Sequence, residues 1–158
     1  MAESRPSQRP AGAMPRRQPN ECDLLIGLAE LPHYSLRIDR GCSLFVAQRT
    51  SLPFRDAAEI TKCFDQVERE LSAIPRKVYS LLVDTRRGPL RNDPAFEAAL
   101  GKERGKLLFG FRKNAALTRT AAGCMQIERF ARIDGRTVCA TPDPAVAFEY
   151  LGLPLHAL

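Results

Sequence analysis

Val78-Tyr-Ser-Leu-Leu-Val-Asp84 is a short apolar run that ends in an acidic residue, and it decides how the rest of the chain is interpreted. A polar loop, Thr85-Arg-Arg-Gly-Pro-Leu-Arg-Asn-Asp93, follows the run, and Pro94-Ala-Phe-Glu-Ala-Ala-Leu100 comes next. The run is largely apolar on both faces, which is typical of a strand with layers packed on both sides of its sheet. Asp93 fits the N-cap of a helix, and Pro94 fits the first helical position, where its missing N–H costs nothing. The stretch therefore predicts a buried strand, a polar loop and a capped helix.

The remaining patterns extend this unit into an alternating order of strands and helices. Strands are recognised by two-residue alternation or short apolar runs, and helices by apolar residues every three or four positions. The expected elements are a short docking helix at 21–31, hairpin strands at 34–39 and 42–48, a helix at 57–74, the central strand at 78–84, a helix from 94, a strand at 114–118, a helix at 121–133, a strand at 137–141 and a last helix that starts within 142–145. The order after the docking helix is β-β-α-β-α-β-α-β-α. It predicts an α/β domain over 32–158, with a mixed, mainly parallel five-stranded sheet flanked by helices and joined by right-handed crossovers.

Residues 1–20 have a composition unlike that of the rest of the chain. Four prolines and four arginines stand among Gln, Ser and Ala, with almost no large apolar residue. Such a segment cannot bury enough surface to offset the entropy lost on ordering. We expect a flexible tail, which is either a solvated leader or an electrostatic tether to an anionic partner.

Composition and charge narrow the class of protein. With 158 residues, 44% of them hydrophobic, the chain has the length of one domain plus a tail. Its 24 Lys and Arg against 18 Asp and Glu give a net charge of +6, which favours anionic partners without identifying them. The longest apolar run, 24–31, is interrupted by Gly27 and Glu30 and is shorter than the about 20 residues that span a bilayer. We therefore expect neither a membrane span nor a secretory signal.

The cysteines are scattered, at positions Cys22, Cys42, Cys63, Cys124 and Cys139. No CxxC spacing occurs, and only two histidines, His33 and His156, are available as further zinc ligands. This pattern favours buried reduced thiols over a metal site, and it indicates a reducing, cytoplasmic setting.

Several short motifs accompany this order of elements. They are Leu81-Leu-Val-Asp84, Asn92-Asp-Pro-Ala-Phe-Glu97, and the run from Leu117-Thr-Arg-Thr-Ala-Ala-Gly123 through Ala147-Phe-Glu-Tyr-Leu151. Together with the order, they resemble the STAS/SpoIIAA-like superfamily and, more narrowly, bacterial single-domain STAS-like proteins, most of which have no assigned function. The resemblance covers about Pro32 to Gly152. It implies a STAS-like fold and a non-enzymatic regulatory or protein-interaction role in the bacterial cytoplasm.

The chain departs from this superfamily at its regulatory switch. The best-known members are anti-sigma-factor antagonists, which bind a partner kinase and are switched by phosphorylation of a serine at the start of the helix after the central strand. The dipole of that helix would favour the added charge. Here the helix start reads Asn92-Asp-Pro-Ala95, and Thr85 lies before the loop. The acceptor serine is missing, which puts this switch in doubt.

The candidate binding site is the edge of the sheet beyond the carboxyl ends of the strands, where ligands of open α/β sheets bind. This edge, called the rim below, is expected to carry Asp84, Thr85, Arg86, Arg87, Arg91, Asn92, Asp93, Arg119 and Thr120, with Thr118 beside them. Guanidinium groups near helix N-termini suit phosphate or carboxylate. The rim is interpreted as the site for a protein partner or, alternatively, for a small anion or nucleotide. A basic rim that is merely solvated is the third interpretation.

The sequence contains no constellation that would fix a reaction. Cys124, at a helix start, is the only thiol whose position would lower its pKa, and structural burial is the favoured interpretation even there. Phosphate-cradling GxGxxG and GxxxxGK loops are absent from the sequence. We therefore expect no enzyme and no cofactor. A nucleic-acid partner is disfavoured as well, because aromatic content is 7%, Trp is missing and no nucleic-acid-binding module is recognised. The feature in its favour is a group of arginines close together in the sequence, Arg129, Arg132 and Arg136.

Overall fold

Six strands form one mixed sheet in the computed structural model, which describes residues 25–155 and 158. The strands are β1 (Ile26–Glu30), β2 (Tyr34–Asp39), β3 (Leu44–Arg49), β4 (Ser80–Asp84), β5 (Asn114–Leu117) and β6 (Cys139–Thr141). The helices are α1 (Ala57–Leu71), α2 (Pro94–Leu108), α3 (Ala121–Ile133) and α4 (Pro144–Leu151), with a single 3-10 turn at Arg76–Val78. The strands lie in chain order, with β1, β2 and β3 antiparallel and β3 to β6 parallel. The predicted α/β class and mixed sheet are confirmed, but the described sheet has six strands rather than five, and the predicted tail lies outside the described residues.

The additional strand, β1, lies where the docking helix was predicted. It pairs antiparallel with β2, and the Leu31 N–H donates to the Tyr34 carbonyl at 2.8 Å to close the turn between them. A short apolar run fits a helix or a strand equally well by periodicity alone. The open edge of β2 decides between them, because pairing there satisfies backbone groups on both strands. The helix prediction is wrong for 26–30, and 21–24 lie outside the described residues.

Capping residues start three of the helices, and Asp93 is the cap that the sequence analysis predicts. Asp93, Thr120 and Asp143 each accept a backbone N–H from the first turn of α2, α3 and α4, at 2.9, 3.1 and 2.8 Å. The predicted bounds of α3 are confirmed. Gly101 and Gly105 do not break α2, which continues to Leu108.

Two apolar layers lie on opposite faces of the sheet, because successive strand residues point to opposite sides. On the first face, α1 and α2 cover side chains that include Leu36, Phe45, Ala47, Leu81 and Val83. On the second face, α4 covers side chains that include Leu44, Val46, Leu82, Ala115 and Leu117. The central strand is therefore buried on both sides, as its composition predicts.

Boundaries differ from the prediction in four strands, and β3 runs over Leu44–Arg49 rather than 42–48. Val78 belongs to the 3-10 turn and is 53% exposed, so β4 begins only at Ser80, which pairs with Leu44 of β3. Likewise, β5 ends before Thr118 and β6 begins at Cys139. For β4 the neighbouring strand sets the start, since a residue belongs to the sheet only where a partner is available for pairing.

The cysteine prediction holds in part. Cys63, Cys124 and Cys139 are free thiols. Cys42 is disulfide-bonded, so the prediction of reduced thiols is wrong at this position, and Cys22 lies outside the described residues. Spacing alone does not reveal cysteine pairing. Among the described residues, no helix is both long and apolar enough to cross a membrane.

Candidate functional site

Parallel pairing of β4 with β5 brings the two predicted loops together at the rim. Asp84 lies opposite Leu117 at the carboxyl ends of these strands. The N–H and the hydroxyl of Thr85 both donate to the Leu117 carbonyl, at 2.9 and 2.8 Å. Arg119 reaches across from the second loop, and its Nη2 donates to the Gly88 carbonyl at 3.4 Å. The rim is thus a single surface built from both loops.

Asp84 lies beneath this surface rather than on it, with 1% of its area exposed. Its carboxylate accepts from Arg86 Nε at 2.9 Å, from Arg86 Nη2 at 2.8 Å and from Gln48 Nε2 at 3.1 Å. Burial alone would raise the pKa of Asp84, but the hydrogen bonds from Arg86 and Gln48 outweigh it and hold the pKa below its usual value. The charge of Arg86 is therefore matched inside the protein and is not free to meet a ligand.

The other predicted arginines of the rim differ in their surroundings. Arg91 Nε donates to Asp93 Oδ2 at 2.5 Å, and its Nη1 donates to the Phe54 carbonyl at 3.0 Å. Arg87 is exposed, and so is Asn92, which directly follows Arg91. Among the described residues, Arg87 and Arg119 form no salt bridge, so they are the rim cations that are open to an anion.

The two threonines of the second loop hold the start of α3. Thr120 caps the helix, and the Thr118 hydroxyl donates to the Thr120 carbonyl at 2.9 Å. The half-buried thiol of Cys124 lies 3.1 Å from the same Thr118 hydroxyl. These contacts support the structural interpretation of all three side chains.

A cavity of about 200 Å³ lies directly beneath the rim, between α2, α3 and the first face of the sheet. It exists because α2 packs closely along α1 but has little backbone contact with α3. Val83 and Ala116 form its floor on the sheet. Its apolar walls include Phe54, Phe96, Leu100, Leu107, Ile127 and Phe130, and the rim residues Thr85, Arg91, Arg119 and Thr120 line it as well.

Polar side chains tie α2 to α3 across this gap. Arg104 and Asp134 form a bidentate salt bridge at 2.6 and 2.7 Å, and the Arg104 guanidinium lies 4.3 Å from the Phe130 ring centre. Glu97 accepts from both Gln126 and Arg129 at 2.8 Å. These contacts link the two helices across the gap at both ends of the cavity lining.

Arg49, the last residue of β3, enters the cavity wall from the side of α1. The sequence analysis did not identify it as a site residue, although a signal was present: Phe45, Ala47 and Arg49 alternate onto one buried face. The pair of Arg104 and Asp134 carries no such signal, because its members lie on separate helices and are 30 positions apart. The sequence thus predicts the rim but not the cavity beneath it.

The described histidine and the buried thiol have structural surroundings. The Nδ1 of His33 lies 3.2 Å from the Leu52 carbonyl, and its ring lies 4.1 Å from that of Phe54. Burial raises the pKa of Cys63 to about 11, so this thiol is protonated at neutral pH. Within the part of the chain that the structure describes, no group of three or more His, Cys, Asp or Glu side chains could hold a metal ion.

These observations define the class of protein as an α/β protein with a mixed six-stranded sheet and a small cavity under a basic rim. Comparisons of the chain with protein-family models, with curated proteins and with solved structures find no match. Function is therefore argued from the site, because a fold of this class serves many functions.

Proposed function

We propose that the protein is a non-enzymatic regulatory module that senses a small molecule bound in the cavity beneath the rim. The cavity itself carries this proposal. At about 200 Å³ it is somewhat larger than the engineered apolar cavity of about 150 Å³ that binds benzene. Apolar walls with a few polar groups at one end are the usual composition of a small-molecule site.

The loop after β4 supplies a route from the cavity to the surface. Gly88 packs directly on the Arg49 side chain: a Cβ at this glycine would lie 2.7 Å from Arg49 Cγ. A ligand that contacts or displaces Arg49 therefore acts on the loop that carries Arg86 and Arg87. A ligand that binds one loop conformation better than another shifts the population of the rim by that difference in affinity.

The resemblance to STAS/SpoIIAA-like proteins supports a regulatory role in the bacterial cytoplasm. The helix start has no serine, and the Thr85 hydroxyl donates to the Leu117 carbonyl. Both facts favour ligand binding over phosphorylation as the switch. The three free thiols agree with a reducing compartment, whereas the disulfide at Cys42 counts against one. The cellular compartment is therefore to be determined independently of ligand binding.

A matched pair of substitutions tests the proposal. Val138→Trp puts a large side chain into the cavity wall, while Val146→Trp makes the same change on α4 at a position that is 44% exposed on the other face of the sheet. A fragment library of small apolar and amphipathic molecules is screened by thermal shift, and hits are confirmed by NMR titration. We expect hits for the wild type and for Val146→Trp and their loss in Val138→Trp. Binding that survives in a folded Val138→Trp protein, or a wild type that binds no fragment, refutes the proposal.

A second candidate function, protein interaction at the rim, is favoured by an exposed apolar pair. Leu90 and Met125 are 71% and 68% exposed and line one groove beside the rim. Exposed apolar side chains grouped in this way mark interaction surfaces. The double variant Leu90→Ser with Met125→Ser is expected to lose a partner that cross-links to the wild type. Ile133→Ser, at an exposed position of α3 outside the groove, is expected to retain it, and equal behaviour of the two variants would count against this surface.

A further inference from the structure

Arg49 is a buried cation in an otherwise apolar part of the cavity wall. The residue is 8% exposed, and its guanidinium lies 4.4 Å from the ring centre of Phe54 and 5.5 Å from that of Tyr34. Burial lowers its pKa, although an arginine keeps its proton in a protein. The charge is therefore present, and it lies away from bulk water.

The partners of Arg49 are neutral. Its Nη1 donates to the carbonyl of His33 at 2.8 Å and more weakly to that of Thr50 at 3.4 Å, and its Nη2 donates to the carbonyl of Leu52 at 2.9 Å. These bonds use three of the five guanidinium N–H groups, and no described residue accepts from the other two. Burial raises the pKa of Tyr34 to about 12, so its phenol carries no charge at neutral pH.

No described carboxylate forms a salt bridge with Arg49, which distinguishes it from Arg91 and Arg104 in the cavity lining, and its burial distinguishes it from the exposed Arg119 at the rim. Arg91 is matched by Asp93, and Arg104 by Asp134. A buried charge is costly unless it is paired, and removing a pairing group leaves that cost uncompensated. An apolar cavity whose wall holds one buried guanidinium without a described carboxylate partner therefore favours a ligand that brings the missing negative charge.

We propose that the ligand is a small apolar carboxylic acid, whose carboxylate binds the open N–H groups of Arg49 and whose apolar body lies between α2 and α3. This inference rests on the proposed function, since it assigns a chemical class to the ligand of that cavity. Planar carboxylates match the guanidinium fork in geometry. The buried guanidinium of Arg49 balances one negative charge, whereas a phosphate monoester carries about 1.5 to 2 negative charges and would leave an excess in the buried part of the cavity. The volume of about 200 Å³ suits an acid of the size of one substituted ring.

Benzoate and benzamide make the test direct, because the two molecules share ring and size and differ in charge. Binding of each to the full chain is measured by NMR titration for the wild type, for Arg49→Met and for Arg40→Met, a matched change at an exposed arginine in the turn between β2 and β3, at the edge of the sheet opposite the rim. We expect benzoate to bind the wild type at least tenfold more tightly than benzamide. This preference is expected to disappear in Arg49→Met and to persist in Arg40→Met.

A second measurement keeps the test valid if Arg49→Met does not fold. In the wild type, the Nε–H resonance of Arg49, assigned with Arg49→Lys, is expected to shift with benzoate and not with benzamide. Equal affinity of the two probes, or a preference that survives in folded Arg49→Met, overturns the acid assignment. If the acid assignment fails but Val138→Trp still blocks binding of both probes, the proposed small-molecule site in the cavity stands without the acid assignment. A wild type that binds neither these probes nor any fragment overturns both proposals.

Discussion

Replacing Asp84 with Asn removes the charge of the buried carboxylate and preserves the size of the side chain. In the wild type, two guanidinium N–H groups of Arg86 and the amide of Gln48 donate to this carboxylate. A hydrogen bond that involves a charged group contributes about 1.5–3 kcal/mol, against about 0.5–1.5 kcal/mol for a neutral one. Asn keeps one acceptor oxygen, but its NH2 group cannot accept a hydrogen bond, so one of the two bonds from Arg86 is lost at a cost of about 1.5–3 kcal/mol.

The expected loss of unfolding free energy is about 2 kcal/mol in total. It is smaller than the about 3–5 kcal/mol for breaking a fully buried pair, because the Arg86 side chain is 32% exposed and regains water when its partner is neutral. For a chain of this length, 2 kcal/mol corresponds to a fall in Tm of about 4–8 °C. Urea denaturation followed by circular dichroism gives the free energy, and a thermal melt gives the Tm.

The difference between wild type and Asp84→Asn also depends on pH. Because the pKa of Asp84 is lower in the folded protein than in the unfolded chain, where it is about 4, the carboxylate contributes its full stabilisation above pH 4. That contribution is lost as the pH falls through the lower, folded-state pKa. The gap between the two proteins is therefore expected to be constant from pH 5 to 7 and to narrow below pH 4.

Asp93→Asn is the matched control for this prediction. Asn caps a helix as well as Asp does, and the exposed pair with Arg91 contributes little, so we expect a clearly smaller loss of stability than for Asp84→Asn. An Asp84→Asn protein that is no less stable than this control, or a gap that stays the same from pH 3 to 7, would refute the account of Asp84 as a buried, charge-matched residue.

Two further predictions concern packing around the cavity. Gly88→Ala, whose Cβ would lie 2.7 Å from Arg49 Cγ, is expected to lower the unfolding free energy by about 1–3 kcal/mol. The control Gly27→Ala, whose Cβ would have nothing within 4 Å, is expected to change the unfolding free energy by no more than about 0.5 kcal/mol. Equal urea midpoints for the two variants would contradict the contact between Gly88 and Arg49. Cys63, whose pKa burial raises to about 11, is expected to react with iodoacetamide at pH 8 only after unfolding, whereas the half-buried Cys124 reacts in the folded protein. Peptide mass spectrometry measures both rates, and rapid labelling of Cys63 in the folded state would show that its burial is wrong.

Local signals account for the parts of the fold that were predicted well. The bounds of α3 and the caps at Asp93, Thr120 and Asp143 follow from residues within a few positions of each other. Capping depends on a side chain and the backbone N–H groups of the very next turn, so a single sequence contains the whole interaction. The rim was predicted for a related reason, since the carboxyl ends of parallel strands meet at one edge.

Interactions between distant residues account for what the sequence did not reveal. β1 is a strand because β2 offers an open edge, and nothing within 26–30 separates that outcome from a helix. Asp84 ends a strand in the sequence, but only the arrangement of Arg86 and Gln48 around it shows that it is a buried, charge-matched residue rather than a surface ligand. The same holds for Arg91, whose partners include the Phe54 carbonyl.

By itself, the sequence determined the α/β class, the alternating order after the hairpin and the position of the rim, because hydrophobic periodicity, capping and strand direction are written in neighbouring residues. Only the tertiary structure decided that a cavity lies beneath that rim. It also decided that Arg49 lies in the cavity wall and that no described carboxylate forms a salt bridge with it. The physical reason is that a cavity is what remains between packed elements. Its volume depends on how far α2 is held from α3, and the charge in its wall depends on which pairs, such as Arg104 with Asp134, the fold brings together.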